Sequence, residues 1–322
     1  MTATMAPPQS ELTFAKGKGT RKIKNSAATG LVWLAFGIAL VPLIWLLYTV
    51  ISKGYHAIVQ TGWFTSDQAG ISFSVKGGGV SAAIIGTAEQ VALCTVISVP
   101  IAILVGVYLV EYGRGPFAKL TTFMVDILTG IPSIVAALFI YALFITTLGG
   151  DRAGWLVSLA LVILMIPVIV RTTEEMLRLV PNELREASYA LGIPKWRTII
   201  KVVIPTAFTG LVTGVVLGIA RVAGETAPLL ILVGYSGNTN TDLFNNFQSS
   251  LPGFINNQAI NLTPSGGGTG KVLDPETGQL VAGKAVNFAP DRLWGAALTL
   301  IIIVMALNLI ARLIGRRNKI AN

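Results

Sequence analysis

Long apolar segments separated by shorter polar stretches dominate the chain. Each segment has about the length of a membrane-crossing α-helix, which needs roughly 20 apolar residues. The apolar segments cover residues 29–52, 80–110, 118–148, 153–170, 206–235 and 292–314. This pattern predicts an all-α, polytopic membrane protein with six transmembrane helices.

The polar segments divide the chain around these runs. Residues 1–28 are polar and basic, which predicts a disordered tail. Residues 29–315 form the predicted membrane domain, which includes a Gly-, Asn- and Ser-rich loop at 236–290. Residues 316–322 form a second, short basic tail.

Composition excludes a soluble protein of this length. Hydrophobic residues make up 53% of the chain and charged residues only 12%, and the mean hydropathy is +0.70. A soluble fold needs more charge to cover its surface. A single cysteine, Cys94, and a single histidine, His56, leave no pattern for a metal or disulfide framework. We therefore expect no metal and no cofactor.

Enzyme motifs are also missing from the sequence. The nearest match to a phosphate-binding loop, at residues 266–273, lacks the first Gly and the final Ser or Thr of that motif. No nucleophile elbow and no metal-ligand cluster is present, so no catalytic residue is expected. The net charge of +9 reflects membrane orientation rather than nucleic-acid binding.

The distribution of Lys and Arg predicts the orientation. With the N-terminus inside, the inner segments carry 17 of the 24 basic residues and the outer segments carry 6. Cytoplasmic loops are the ones enriched in Lys and Arg. Both termini and the polar segment 171–205 are therefore expected to face the cytoplasm. The remaining basic residue, Arg221, lies inside an apolar run.

The segment 171–205 contains the string ELREASYALGIPKWRTIIKVVIP. Asn182 is placed to cap a short helix with a small, weakly apolar face. Gly192 is expected to end that helix in a left-handed turn, and Pro205 to bend the helix that follows. The simplest interpretation is an amphipathic connector between two membrane helices.

The spacing in this segment resembles the cytoplasmic loop of ABC-importer permeases. The matching positions are Glu186, Ala187, Ser188, Gly192 and Pro205, with Ser188 standing where that pattern has Ala. In that family the loop forms a coupling helix that sits in a groove of the ATPase subunit. The resemblance implies that these five residues couple the chain to an ATPase.

The fifth apolar run combines a bare helix face with two charges. Gly210, Gly214 and Gly218 recur every four residues, which predicts close packing against another helix. Arg221 and Glu225 follow at a spacing of four, which allows an ion pair. The pair has two interpretations: a structural contact that holds the bundle together, or a pore-facing site for a charged solute. Pro228, just beyond, would loosen the helix and is a candidate gating residue.

Three further strings, RVAGETAPLL, VIVRTTEEM and Gly130-Ile131-Pro132-Ser133, resemble the permeases of phosphate-specific ABC importers. The resemblance covers roughly residues 80–235. It implies the type I ABC importer fold, a place in the bacterial inner membrane, and roles in transport for Arg171, Arg221 and Glu225. Pro132 would be a second gating candidate. For Arg171, snorkelling to the inner interface is the competing interpretation.

The resemblance also implies partners. They are a second permease (PstC-like), an ATPase dimer (PstB-like), an extracytoplasmic phosphate-binding protein (PstS-like) and membrane lipid. The chain would form half of the translocation pathway of an ATP-driven phosphate importer and would not itself be an enzyme.

The residue chemistry is compatible with phosphate. The positive charge of a fixed Arg balances the negative charge of an anion in hydrocarbon. A carboxylate such as Glu225 can accept a hydrogen bond from the proton that phosphate retains but sulfate lacks. Glu89 and Asp126 are expected to form hydrogen bonds with Ser, Thr or backbone groups at helix–helix contacts, and a role in transport is the alternative. Alternatives remain: a permease for another oxyanion such as sulfate or molybdate, an ion-coupled secondary transporter, and an assembly scaffold. The secondary transporter would need paired broken helices in two related halves, and the sequence shows no such repeat.

Overall fold

A computed structural model describes residues 19–73, 75–262, 271–273, 280–282 and 287–320. The first 18 residues of the expected tail and most of the stretch 266–273 lie outside this described part. Two compact units divide the chain, Met1–Thr49 and Val50–Asn322.

Eleven α-helices occupy the described residues. They are α1 (Gly19–Ile58), α2 (Ser81–Val107), α3 (Pro116–Gly130), α4 (Ser133–Ile140), α5 (Gly154–Arg178), α6 (Asn182–Ala190), α7 (Lys195–Thr198), α8 (Ile204–Ala223), α9 (Ala227–Leu232), α10 (Leu251–Ile260) and α11 (Ala289–Ile320). Three π-helical turns extend this framework, at Tyr108–Tyr112, Tyr141–Thr147 and Ile199–Val203. A short antiparallel ribbon pairs β1 (Lys271–Leu273) with β2 (Leu280–Ala282).

Within the described residues, five helical segments are long and apolar enough to cross a membrane, and the bent pair α3–α4 makes a sixth. The first unit contributes the start of α1, whose apolar side chains are exposed. The second unit contains the end of α1 and the rest of the bundle. The predicted all-α membrane architecture with six helices is confirmed, apart from the small ribbon.

The direction of the helices shows why the bent pair must cross. Ser158 on α5 donates a hydrogen bond of 3.0 Å to the carbonyl of Gln90 on α2. Farther along both helices, Thr173 lies against Gly106. The two helices therefore run parallel, and the chain between them has to return across the bundle. The arms α3 and α4 make that return with a bend of 103° between them.

The glycine face of α8 packs on α5, as expected. A side-chain carbon added at Gly210 would lie 2.3 Å from the sulfur of Met176, and one added at Gly214 would lie 2.4 Å from the hydroxyl of Thr172. Gly218 faces Ile169 in the same way, so the two helices run antiparallel. Only a helix without side chains on this face reaches so close an approach.

Several boundaries differ from the sequence-based expectation. The helix α1 begins at Gly19, so residues 19–28 are helical rather than disordered. Extending an existing helix adds a hydrogen bond per residue without a new nucleation step. The loop 236–290 contains α10, in which the hydroxyl of Ser250 accepts a hydrogen bond from the amide of Gly253 and caps the helix. The fourth run continues to Arg178, well beyond the expected end at residue 170.

Candidate functional site

The charged pair of the fifth run lies at a helix break. Arg221 is in the last turn of α8, which ends at Ala223. Glu225 lies in the non-helical link before α9, and Pro228 is in the first turn of α9. The expectation that both charges sit one turn apart on a continuous helix, loosened by Pro228, was wrong. The Gly224 amide bonds to the carbonyl of Arg221 at 3.3 Å and closes α8 before the proline.

The pair is loose. Nε of Arg221 lies 3.9 Å from Oε1 of Glu225, and the Arg221 side chain is 52% exposed whereas that of Glu225 is 18% exposed. At this separation the two groups attract each other without a hydrogen bond. Arg221 therefore keeps guanidinium donors available, and a guanidinium presents them in a planar fork that fits an oxyanion.

The two proline-linked breaks lie next to each other in the bundle. Pro132 precedes α4, and its carbonyl accepts a hydrogen bond of 2.9 Å from the amide of Val135. The helix α4 packs directly against α9, and Ala137 and Leu229 belong to the same buried core. The structure thus brings together the helices that follow the two gating candidates, Pro132 and Pro228. The break before α4 was expected from the string Gly130-Ile131-Pro132-Ser133, whereas the break between α8 and α9 was not.

Arg171 belongs to a separate charge network. Its guanidinium bonds to Asp126 on α3 and, at 2.7 Å, to Glu174 on α5. Glu174 also accepts from Arg178 at 2.9 Å, and its side chain is only 9% exposed. Arg171 lies two turns before the end of α5, not at the end of the fourth helix as expected. The three ion pairs that join Asp126, Arg171, Glu174 and Arg178 connect α3 to α5.

The roles of two members of this network were not predicted from the sequence. Asp126 was expected to bond to Ser, Thr or backbone groups, but it pairs with Arg171. Glu174 was not singled out, although its spacing of three from Arg171 and four from Arg178 is the spacing of helical ion pairs. Glu89 also has an unexpected partner, since its carboxylate accepts a hydrogen bond of 2.6 Å from Gln248 in the long loop.

The network borders a cavity of about 500 Å³ between the end of α2, α3 and α5. Its lining includes Lys119, Asp126, Glu174 and Arg178. The register of α5 and α8 places Gly214 opposite Thr172, and Arg221 is seven residues, about 10 Å, farther along α8. Among the described residues, no ion pair joins Arg171 to Glu225, and Arg221 is not part of the Arg171 network. The structure separates the three residues into two sites.

Four of the five residues expected to contact an ATPase, all except Pro205, lie in a helical hairpin at one end of the bundle, built from α6 and α7. Gly192 joins them with a φ of 74°, the left-handed turn expected of it. The hydroxyls of Ser188 and Thr198 share a hydrogen bond of 2.8 Å between the two arms. The Ser188–Thr198 hydrogen bond and the turn at Gly192 therefore hold the two helices of the hairpin against each other.

The expected face of α6, formed by Leu184, Ala187, Ser188 and Leu191, is exposed except at Ser188. Ser188 is only 5% exposed, because it faces Thr198 rather than the outside. Glu186 and Ala187 are exposed, and Leu191 is 80% exposed. The cap of α6 is Pro181, since Asn182 is already helical. Pro205 lies in the first turn of α8, after the π-helical turn Ile199–Val203.

Groups that could bind a metal do not occur in the part of the chain that the structure describes. Cys94 is buried, and its sulfur lies 3.5 Å from that of Met165.

Similarity to known proteins supports a transport role. Residues 98–318 match the family model of the binding-protein-dependent transport system inner membrane component. The phosphate transport system permease protein PstA 1 of Mycobacterium tuberculosis (strain CDC 1551 / Oshkosh) is 48% identical over 91% of this chain and 89% of its own length. The permease protein PstA of Mycobacterium leprae (strain TN) is 49% identical over 90% and 88%.

Solved structures show the same fold at low sequence identity. A chain of a bacterial alginate ABC transporter, solved with a periplasmic protein that carries an alginate pentasaccharide, has a TM-score of 0.58 at 14% identity and covers 90% of this chain and 96% of its own. A chain of the inward-facing MetNI methionine ABC transporter has a TM-score of 0.52 at 18% identity over 72% and 94%. The fold is that of a type I ABC importer permease. The chain belongs to the family of binding-protein-dependent transport system inner membrane components.

Proposed function

We propose that this chain is a permease subunit of an ATP-driven importer of inorganic phosphate. The observation that carries the proposal is Arg221, a half-exposed guanidinium at a helix break inside a membrane bundle, with a loosely held carboxylate as its neighbour. Relatives that are about half identical over nearly the whole chain are named phosphate transport system permeases. The names of these relatives and the positive charge at the helix break both support an anion as the transported solute.

The chemistry of the pair favours phosphate over sulfate. Arg221 attracts either anion, because its charge offsets the cost of moving an anion out of water. Glu225 is the discriminating group. A carboxylate accepts the proton that phosphate carries near neutral pH and repels an anion that has no proton to donate. The 3.9 Å gap leaves Glu225 free to make that contact.

Orientation and partners follow from the same proposal. The end of the bundle that carries the helical hairpin faces the cytoplasm, as do both termini, and the long loop lies outside. The exposed face of Ala187 and Leu191 docks on a separate ATPase dimer. A second permease completes the translocation pathway, and an extracytoplasmic phosphate-binding protein delivers the solute. The two permeases would span the inner membrane, with the ATPase dimer on its cytoplasmic side and the binding protein on its outer side.

Reconstitution tests this function directly. The chain is purified with its permease, ATPase and binding-protein partners, placed in proteoliposomes, and assayed for uptake of radiolabelled phosphate and sulfate. We expect ATP-dependent uptake of phosphate and little uptake of sulfate. Arg312→Gln, an exposed arginine of α11, is the matched control for Arg221→Gln. Equal uptake of sulfate, or full uptake by Arg221→Gln, would contradict the proposal.

A further inference from the structure

Glu111 is the point where the helical hairpin meets α2. It lies in the π-helical turn Tyr108–Tyr112 that ends α2, and its side chain is only 5% exposed. Single π-helical turns within helices occur frequently at functional sites. Neither the proposed transport of phosphate nor the ion pairs at Arg171 and Arg221 involve this residue.

All three guanidinium nitrogens of Arg185 in the hairpin bond to groups at the ends of two membrane helices. Nε and Nη2 both lie 3.0 Å from Oε1 of Glu111. Nη2 also donates at 2.9 Å to the carbonyl of Leu177, and Nη1 donates at 2.6 Å to that of Val180. The last two carbonyls belong to the end of α5 and the link after it. One side chain of α6 therefore joins the ends of α2 and α5.

The second arm of the hairpin converges on the same place. The ammonium group of Lys195 donates to the backbone carbonyl of Glu111 and lies 4.6 Å from the centre of the Tyr112 ring. The Ser188–Thr198 hydrogen bond closes the two arms on each other. Both arms thus contact the last turn of α2, so the hairpin and that turn are held as one block.

The chain itself connects the hairpin to α5 on one side and, through the π-helical turn Ile199–Val203, to α8 on the other. It does not connect the hairpin directly to α2, which lies far earlier in the sequence. Glu111 lies 74 positions before Arg185. We propose that the Glu111–Arg185 pair is a positioning contact that transmits movement of the docking hairpin to α2.

The physical basis is the strength and stiffness of this contact. Hydrogen bonds between charged partners are short and strong, and burial makes the loss of one partner costly. Motion of the hairpin therefore carries α2 with it, along with the helices that the backbone already links. The inference rests on the proposed function, since it requires an ATPase that moves the hairpin.

The test compares Glu111→Gln and Arg185→Gln with the wild-type complex. Controls are Glu175→Gln and Arg114→Gln, both at exposed positions near the same end of the bundle. For each variant, phosphate imported and ATP hydrolysed are measured in the same proteoliposomes. We expect at least about a fivefold fall in phosphate imported per ATP in the two test variants. The controls should keep the wild-type ratio, and all variants should retain their ATPase subunits.

A second measurement follows the helix itself and does not depend on which ion is transported. Spin labels are attached through cysteines at Val96 on α2 and Ile200 beside the hairpin, both exposed, with Cys94 replaced by Ala. In the complex with wild-type Glu111, a non-hydrolysable ATP analogue should leave the label distance unchanged. With Glu111→Gln, the analogue should shift or broaden it.

The outcomes separate the two proposals. A wild-type complex that imports no phosphate contradicts the proposed function. The spin-label result then decides whether the Glu111–Arg185 pair transmits movement of the hairpin to α2, a role that we call the relay. Identical label distances in the wild-type and Glu111→Gln complexes, or a normal import ratio in both test variants, would overturn the relay. Loss of the ATPase subunit from Arg185→Gln would also overturn it, because the pair would then maintain the docking surface rather than transmit its motion.

Discussion

Asp126 and Arg171 are 45 residues apart in sequence and form an ion pair that ties α3 to α5. Arg171 in turn bonds to Glu174, which is shared with Arg178. The centre of this network is therefore the buried carboxylate of Glu174, with two arginines on it. The exposed Asp126 lies at its edge.

The position of each acid predicts the cost of removing it. Glu174→Gln leaves two arginines without their shared partner, so we expect a loss of roughly 3 kcal/mol of stability. Asp126→Asn removes an exposed partner, and the loss should be about 1 kcal/mol or less. Unfolding midpoints of the purified complex in detergent measure both. Equal losses would show that burial does not determine the strength of this network.

Removing the charges at Arg221 and Glu225 separates a structural role from a transport role. If the two charges serve only to neutralise each other, the double change Arg221→Gln with Glu225→Gln should be tolerated better than Arg221→Gln alone. We expect instead that the single change Arg221→Gln and the double change both abolish phosphate uptake, while the complex still assembles. Glu225→Gln alone should reduce uptake. The measurement is uptake at matched subunit levels, and rescue by the double change would assign the pair to structure.

The close approach of α8 to α5 predicts a sharp response to a single methyl group. Gly214→Ala places a carbon 2.4 Å from the hydroxyl oxygen of Thr172, so the helices must separate, at a cost of about 1–3 kcal/mol. Gly37→Ala is the control, because nothing lies within 4 Å of that position and alanine favours a helix. Thermal unfolding should show a lower midpoint for the first variant alone.

Docking on an ATPase depends on the outward face of the hairpin. Ala187→Trp adds bulk to an exposed position of α6, and Gly192→Val forces a branched residue into a φ of 74°. We expect each to reduce ATP-dependent uptake at least about tenfold, without preventing membrane insertion. Copurification of the ATPase gives the direct readout. Wild-type uptake and binding in both variants would remove the docking assignment.

Opposite ends of the bundle should be accessible from opposite sides of the membrane. Single cysteines are introduced at two exposed positions, Leu191 in the hairpin and Phe244 in the long loop. The native Cys94 is replaced by Ala in both variants. We expect an impermeant thiol reagent added to intact cells to label residue 244 and not residue 191. The reverse result would invert the orientation, and labelling of both would contradict the six-crossing arrangement.

Local patterns in the sequence were enough to find the membrane segments and the turn at Gly192. Hydrophobic length depends on composition alone, and a left-handed turn depends on the residue that occupies it. The glycine spacing of α8 also predicted a packing face, although not that α5 fills it. These features come from interactions within one element of the chain.

The features that were missed depend on residues far apart in sequence. Ser188 looked like part of an outward face, but it turns inward because Thr198 is across the hairpin. Glu111 was not predicted to have a partner, because Arg185 lies 74 positions away in the sequence, on α6. The break after Ala223 separates Arg221 from Glu225 in a way that their spacing of four does not reveal.

The 103° bend between α3 and α4 affects how the protein enters the membrane during synthesis. The helix α3 has 15 residues and reaches about 22 Å, which is less than the roughly 30 Å of the hydrocarbon core. The second arm is no longer, and the bend prevents the two lengths from adding. Hydrophobic partitioning alone therefore does not complete this crossing. We expect its completion to depend on packing against α5 and α9, which are synthesised later, so that the third span inserts fully only when its tertiary partners are present.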